Sequence, residues 1–242
     1  MSRSAAASLD VDLVALVHAH AWIRVLLRAL ELYDGGATYG HHWRVARKIT
    51  IIWRRAGVSA SMVNDRQRGA LLHDIGKLLV PRSIILKAGK PTVEERRELR
   101  RHPRLGFELL REEDIEAALD VVGHHECAWQ LVDVQHRNYP RAGERRSNER
   151  RLIARVLGCE RRTGERRADD AARRPFRFAL AVADVIDALS SGDRSYCASH
   201  TNGEIREILA KHFGVVPDIA EWLLEAREEL LRPVPSIVKG EV

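Results

Sequence analysis

The run Ser61–Lys77, SMVNDRQRGALLHDIGK, decides how this chain folds and where its chemistry sits. Ser61 to His73 reads as a helix, which leaves His73-Asp74 at its end, where Gly76 can turn the chain. An imidazole beside a carboxylate is a ready pair of metal ligands. Other candidates flank it: His41 upstream, then His102, the doublet His124-His125, and Asp184. Five histidines and two acids without a thiolate suit Mn, Fe, Mg or Zn rather than a structural zinc knot. A carboxylate such as Asp74 can bridge two cations. Water held between them ionises near neutral pH, and the cations neutralise a phosphate under in-line attack.

Working outward, the pattern is helical nearly throughout, with no convincing run of alternating strands, so the expected fold is all-α. A first helix is predicted over Leu9 to Tyr33, stopped by Gly35-Gly36, and a second over about Thr38 to Ala56, closed by Gly57. Val80 to Pro91 reads as a loop. Thr92-Val93-Glu94-Glu95 is a capping-box signature opening a helix to about Arg101, and Pro103 starts another. Asp114 to Glu126 follows and ends on the two histidines. Three last helices are predicted at Arg174 to Ser190, Asn202 to Phe213 and Asp218 to Leu231. The expected division is a helical extension over 1–36 and a helical bundle over 37–242.

The bundle carries an insertion at about 127–173. Arg141 to Arg177 holds 13 arginines against six acids, an excess larger than the whole chain's net charge of +6, so the remainder is about neutral. The ends of this segment, Gly143 to Asn148 and Gly158 to Arg173, read as polar and mobile, with one short amphipathic helix around Leu152 to Leu157. It is either a solvated insertion or a cationic lid that attracts a phosphate-rich ligand. It lacks interleaved aromatics for base stacking, so nucleic acid is not the expected partner.

Three widely spaced cysteines, Cys127, Cys159 and Cys197, argue against a disulfide framework. The start has no apolar signal core, and Leu9 to Leu32 carries too many charges for a membrane span. A reducing cytoplasm is the expected setting, with no membrane anchor. His18, His20, His42, His136, His200 and His212 read as ordinary surface or hydrogen-bonded histidines.

The motifs His41-His42-Trp43-Arg44-Val45, His73-Asp74-Ile75-Gly76-Lys77, Lys87-Ala88-Gly89-Lys90, Arg101-His102-Pro103, His124-His125-Glu126 and Ala183-Asp184-Val185-Ile186-Asp187-Ala188-Leu189 occur in that order. Together they resemble the HD-GYP branch of the HD phosphohydrolase superfamily, over about His41 to Leu231. The resemblance implies an all-helical HD-domain bundle and a metal-dependent phosphodiesterase. That enzyme would hydrolyse cyclic di-GMP to linear pGpG, and further to GMP, by attack of a metal-bridging hydroxide. It implies that His41, His73, Asp74 and Asp184 hold one ion, that His102, His124 and His125 hold a second, and that Asp74 bridges both. Fe or Mn is the expected pair. Lys77 would face the scissile phosphate, and Arg194 falls where family members place a phosphate-binding arginine. Tyr139 either stacks on a guanine or is a buried structural residue. Asp187, one turn after Asp184, either orients a ligand or is a plain capping acid.

The chain departs from that family in places. Gly-Tyr-Pro appears as Asn138-Tyr139-Pro140. Cys197 follows Tyr196 where a basic residue is common. Ala37 stands where three-metal members carry a glutamate, so two ions are expected. Two other readings stay open: a degenerate module that binds a cyclic dinucleotide and signals through protein partners, and a phosphohydrolase acting on another nucleotide.

Overall fold

The computed structural model describes residues 3–55, 60–125, 163–192, 199–213 and 218–240, and among them every regular element is helical. In chain order these are α1 (Arg3–Ala19), α2 (Ala21–Asp34), α3 (Ala37–Arg55) and α4 (Ala60–Leu72). A 3₁₀ turn (Ile75–Leu79) and α5 (Arg82–Ile85) lead to α6 (Val93–Leu99), α7 (His102–Leu110) and α8 (Ile115–Gly123). The last elements are α9 (Thr163–Ser190), α10 (Asn202–Phe213), α11 (Asp218–Glu225) and α12 (Arg227–Leu230).

Helix α3 is the axis of the bundle, packed by α2, α4, α9 and α11. It is buried on most faces, including polar Thr50 and charged Arg47 and Lys48. Gly35 ends α2 in the left-handed region (φ 73°), which glycine enters without a Cβ penalty. The Asp34 carboxylate then accepts from the backbone N–H groups of Gly36 (3.1 Å) and Thr38 (2.8 Å), satisfying donors at the start of α3. Trp43, Ile49, Leu71, Phe107, Val121, Leu180 and Leu223 belong to one continuous core. Full burial of an aliphatic side chain of this kind contributes about 1.5–3 kcal/mol. The capping box on α6 is present, with Thr92 and Glu95 each accepting from the other's backbone.

Several boundaries differ from the expectation. The predicted first helix is two helices bent by 111° at His20, whose backbone is extended (φ −125°, ψ 93°). The bend brings Leu13 and Val17 of α1, and Ile23, Leu27 and Leu30 of α2, into the core that contains Trp43. A straight helix could not lay both stripes on one globular surface. Among the described residues no single helix is long and apolar enough to cross a membrane. The predicted last helix breaks at Ala226. The loop after Val80 contains α5. Thr163 to Arg173, expected as irregular polar chain, is the first part of α9, in keeping with the good helix propensity of its Arg, Glu and Ala residues. The expectations for the rest of the insertion, from Cys127 to Arg162, lie outside the described residues.

The turn after Asp74 meets α7 at unusually close range. A Cβ on Gly76 would lie 1.9 Å from the His102 carbonyl oxygen, and one on Gly106 would lie 2.6 Å from Val121 Cγ1. Two missing side chains therefore let the 3₁₀ turn, α7 and α8 stack in contact, which is what brings Asp74 to the histidines of the later helices.

Candidate metal centre

Each expected ligand comes from a helix or a helix end. His41 is on α3, His73 and Asp74 follow α4, His102 opens α7, His124 and His125 follow α8, and Asp184 is on α9. The last carbonyls of a helix have no partner within it. Three of the rings use such carbonyls: Nδ1–H donates to Ala70 O from His73 (2.8 Å), to Leu99 O from His102 (2.5 Å) and to Val121 O from His124 (2.5 Å). Each bond spans three residues and points the Nε2 lone pair at Asp74. Donors of this kind fix the tautomer and ring direction that a metal ligand needs.

The donor atoms fall into two groups, His41 with His73 and Asp184, and Asp74 with His102, His124 and His125, each within 4.8 Å internally. Asp74 faces both. Its Oδ2 lies 3.7 Å from His41 Nε2 and 3.5 Å from His73 Nε2, while Oδ1 lies 2.8 Å from His102 Nε2 and 3.5 Å from His124 Nε2. One carboxylate thus offers an oxygen to each set. A further combination of His42, His73 and Asp74 draws on two of the same residues. His42 itself bonds Leu71 O through Nδ1 (2.5 Å), and its buried Nε2 has no hydrogen-bond partner among the described residues.

The donor set fits divalent cations. With their Nδ1 protons committed to carbonyls, His73, His102 and His124 present bare Nε2 atoms. Yet His102 Nε2 sits 3.4 Å from His124 Nε2 and 3.2 Å from His125 Nε2. Asp74 Oδ1 is buried without a hydrogen bond among the described residues. Lone pairs converging in a buried space cost free energy unless a proton or cation lies among them. Asp74 is only 3% exposed and His73 is fully buried. Burial pushes the His73 imidazole down to about 3, and it also lowers His102 and His125, so these rings are neutral at ordinary pH, the form that can bind a cation. Burial opposes ionisation of Asp74 and Asp184, but the nearby Lys77 ammonium holds Asp74 well below the carboxylate range, and the His41 hydrogen bond holds Asp184 there.

His41 differs from the other rings. Its Nε2 is 3.1 Å from Asp184 Oδ1 and its Nδ1 is 2.8 Å from Asp187 Oδ2. Burial alone would lower it, but the two carboxylates outweigh that and raise it to about 9. Asp187, fully buried, orients His41 rather than capping a helix. It also receives Lys48 Nζ (2.6 Å) and Arg44 Nε (3.0 Å). The sequence reading assigned no role to Arg44 or Lys48. Their spacing from His41 on α3, three and seven residues, was the available signal, since all three fall on one helix face. Lys77 Nζ is in contact with Asp74 Oδ2. Tyr139 and Arg194 lie outside the described residues.

A cavity of about 530 Å³ opens over this centre, lined by His41, Asp74, Lys77, His102, His125 and Asp184 among others. That is within the size range of small-molecule sites. A family model described as HD domain matches residues 38–189, which contain all seven converging candidate ligands. The chain belongs to the HD domain family. This HD domain is 40% identical over 85 residues, 35% of its own length and 22% of the relative's, to the cyclic di-GMP phosphodiesterase response regulator RpfG of Xanthomonas campestris pv. campestris. It is 36% identical over 85 residues, 35% of its length and 23% of the relative's, to a cyclic di-GMP phosphodiesterase of Thermotoga maritima. A longer match, 26% identical over 201 residues, covers 80% of this chain and 32% of the 3'3'-cGAMP-specific phosphodiesterase 2 of Vibrio cholerae. The HD domain thus spans between about a fifth and a third of these relatives. Together with its ordered motifs, they place it in the HD-GYP branch.

Proposed function

We propose that this HD domain is a metal-dependent phosphodiesterase that opens a cyclic dinucleotide, cyclic di-GMP first, by hydrolysis to linear pGpG and onward to GMP. The observation that carries the reading is Asp74, whose two oxygens each face a separate set of histidines. Under this reading His41, His73 and Asp184 hold one divalent cation, His102, His124 and His125 hold another, and Asp74 serves both. Fe and Mn are the proposed ions, since imidazole and carboxylate donors suit them. When bound, such a pair polarises a phosphoryl oxygen and activates water for in-line attack.

The chain's own residues divide the remaining work. The three backbone-anchored rings keep their Nε2 atoms aimed inward, so little reorganisation is needed on loading. Asp187 holds the Nδ1 proton of His41 and so keeps Nε2 directed at Asp184. Lys77 stands over Asp74 at the cavity floor and stabilises charge on the phosphate as the P–O3′ bond breaks. Arg194 is proposed to add a second cation at the phosphate and Tyr139 a base-stacking face. A cytoplasmic setting is proposed with this substrate.

A second substrate, 3'3'-cGAMP, is favoured by the relative of that specificity, which matches most of this chain. The test is purification under reducing, anaerobic conditions and elemental analysis, followed by turnover of cyclic di-GMP and 3'3'-cGAMP with chromatographic identification of products. The expected result is metal-dependent formation of the linear dinucleotide, abolished in Asp74→Ala together with metal content. Binding of either nucleotide without product after long incubation with Mn or Fe would support the degenerate signalling module instead.

A further inference from the structure

The cavity over the metal centre has an apolar wall that the metal chemistry does not use. Ile84 and Ile85 of α5, Leu86 just beyond it, Pro91 before α6 and Leu99 at the end of α6 contribute to it. None of Ile84, Ile85, Leu86 or Leu99 belongs to the buried core or to the half-buried residues packed against that core. Leu86 is 46% exposed. A lone exposed leucine needs no explanation. Aliphatic side chains gathered from two helices into one cavity wall are different, and they mark a place for a ligand.

The wall is fixed on both sides of Leu86. The Leu86 N–H donates to Arg82 O (2.9 Å), and Arg82 Nε–H donates to Tyr33 O (2.6 Å), which ties α5 to the end of α2. Lys87 Nζ donates to the Glu95 carboxylate (2.6 Å), which also accepts from the Thr92 N–H (2.7 Å), so the chain beyond Leu86 is tied to the start of α6. An apolar surface held in this way needs little ordering when a ligand arrives. His41, Asp74, Lys77 and His102 line the same cavity on the side of the metal centre.

We propose that this wall is a nucleobase subsite, on which a purine lies against Leu86 and Leu99 while a phosphate of the same ligand sits at the metal centre, an assignment that rests on the function proposed above. A purine has apolar faces and polar edges, whereas ribose and phosphate are polar throughout. A cavity with metal-binding groups on one side and aliphatic side chains on the other matches that division. The named wall residues carry no aromatic ring, so the contact is burial of apolar surface rather than ring stacking. Aliphatic carbon reads the face of a base and not its edge. The wall therefore favours a nucleotide over a bare sugar phosphate without choosing guanine over adenine.

The test measures binding of GMP, AMP and ribose 5-phosphate to the Mn-loaded protein by calorimetry, since the three share a phosphate monoester and differ in the base. Wild type should bind both nucleotides at least about tenfold more tightly than the sugar phosphate. Leu86→Asn and Leu99→Asn, both outside the core, should weaken GMP and AMP alike by roughly tenfold and leave ribose 5-phosphate within about twofold. Leu86→Met keeps the apolar surface and should bind as wild type does. In the two asparagine variants kcat/KM for cyclic di-GMP should fall through KM, with kcat held. Equal affinity of wild type for nucleotide and sugar phosphate, nucleotide affinities unmoved by both asparagine substitutions, or a parallel loss of ribose 5-phosphate overturns the subsite alone. A wild type that leaves cyclic di-GMP and 3'3'-cGAMP intact with Mn overturns the substrate reading instead, and the ratio of nucleotide to sugar-phosphate affinity still decides whether the wall receives a base.

Discussion

Asp187→Asn removes one charge and almost no volume from an acid that three basic groups share. Asp187 is fully buried and holds His41 Nδ1 at 2.8 Å, Lys48 Nζ at 2.6 Å and Arg44 Nε at 3.0 Å. Lys48 is itself only 1% exposed. An asparagine can accept one of these bonds but neutralises none of the charges. Breaking a buried ion pair by removing one partner costs about 3–5 kcal/mol. Burial already lowers the Lys48 pKa, so Lys48 can shed its proton in the variant, and the lower end of that range is expected. For a chain of this size, each kcal/mol shifts Tm by about 2–4 °C, so a fall of roughly 6–12 °C follows. Metal affinity at the His41 set should drop about 10- to 100-fold through loss of the group that orients the ring. Adding Lys48→Met should restore much of the stability, because the pair is then removed together, while leaving the metal defect in place. Thermal denaturation and metal titration of the single and double variants provide the assay. A Tm change under 2 °C in Asp187→Asn, or additive losses in the double variant, would refute the reasoning.

Three further outcomes follow from the same geometry. Gly76→Ala places a Cβ 1.9 Å from the His102 carbonyl, so the turn must separate from α7; a loss of about 1–3 kcal/mol or more and lower metal content are expected by denaturation and elemental analysis, and an unchanged Tm would contradict the close packing. Lys77→Met should lower kcat about 100-fold or more with metal content retained, and an unchanged kcat would remove Lys77 from the reaction. In the metal-free protein the His41 pKa is raised from 6.5 to about 9, so its proton stabilises the fold fully below pH 6.5, and that contribution is lost as pH rises through about 9. Cations must displace that proton, so Mn²⁺ affinity measured by titration should rise toward pH 9 and level off above it, with proton release in weak buffer; affinity that is flat with pH would count against His41 as a ligand.

Much of the bundle was legible because its helices carry strong local punctuation. Gly35 ends α2, Thr92 and Glu95 cap α6, and Pro103 sits in the first turn of α7. The bend at His20 was hidden because histidine neither breaks nor favours a helix strongly; tertiary packing of two apolar stripes imposes it. The start of α9 was misread for a related reason, since a run of Arg, Glu and Asp looks equally polar as helix or as irregular chain. The candidate ligands were legible as residue types in order, but not the reason they converge. That reason is backbone geometry: three rings anchored to carbonyls three residues back, and glycines at 76 and 106 that admit close stacking. The Asp187 cluster was half visible, because an acid at Asp184 plus one turn is readable while its bases on α3, Arg44 and Lys48, lie 143 and 139 residues away in the chain.

The central claim is that Asp74 separates and joins two cation sites. Anomalous diffraction from crystals of the Mn-loaded protein measures this directly. The account predicts two peaks, one between Asp74 Oδ2 and the His41–His73–Asp184 set and one between Asp74 Oδ1 and the His102–His124–His125 set. A single peak, or two peaks that do not share the Asp74 carboxylate, would contradict it.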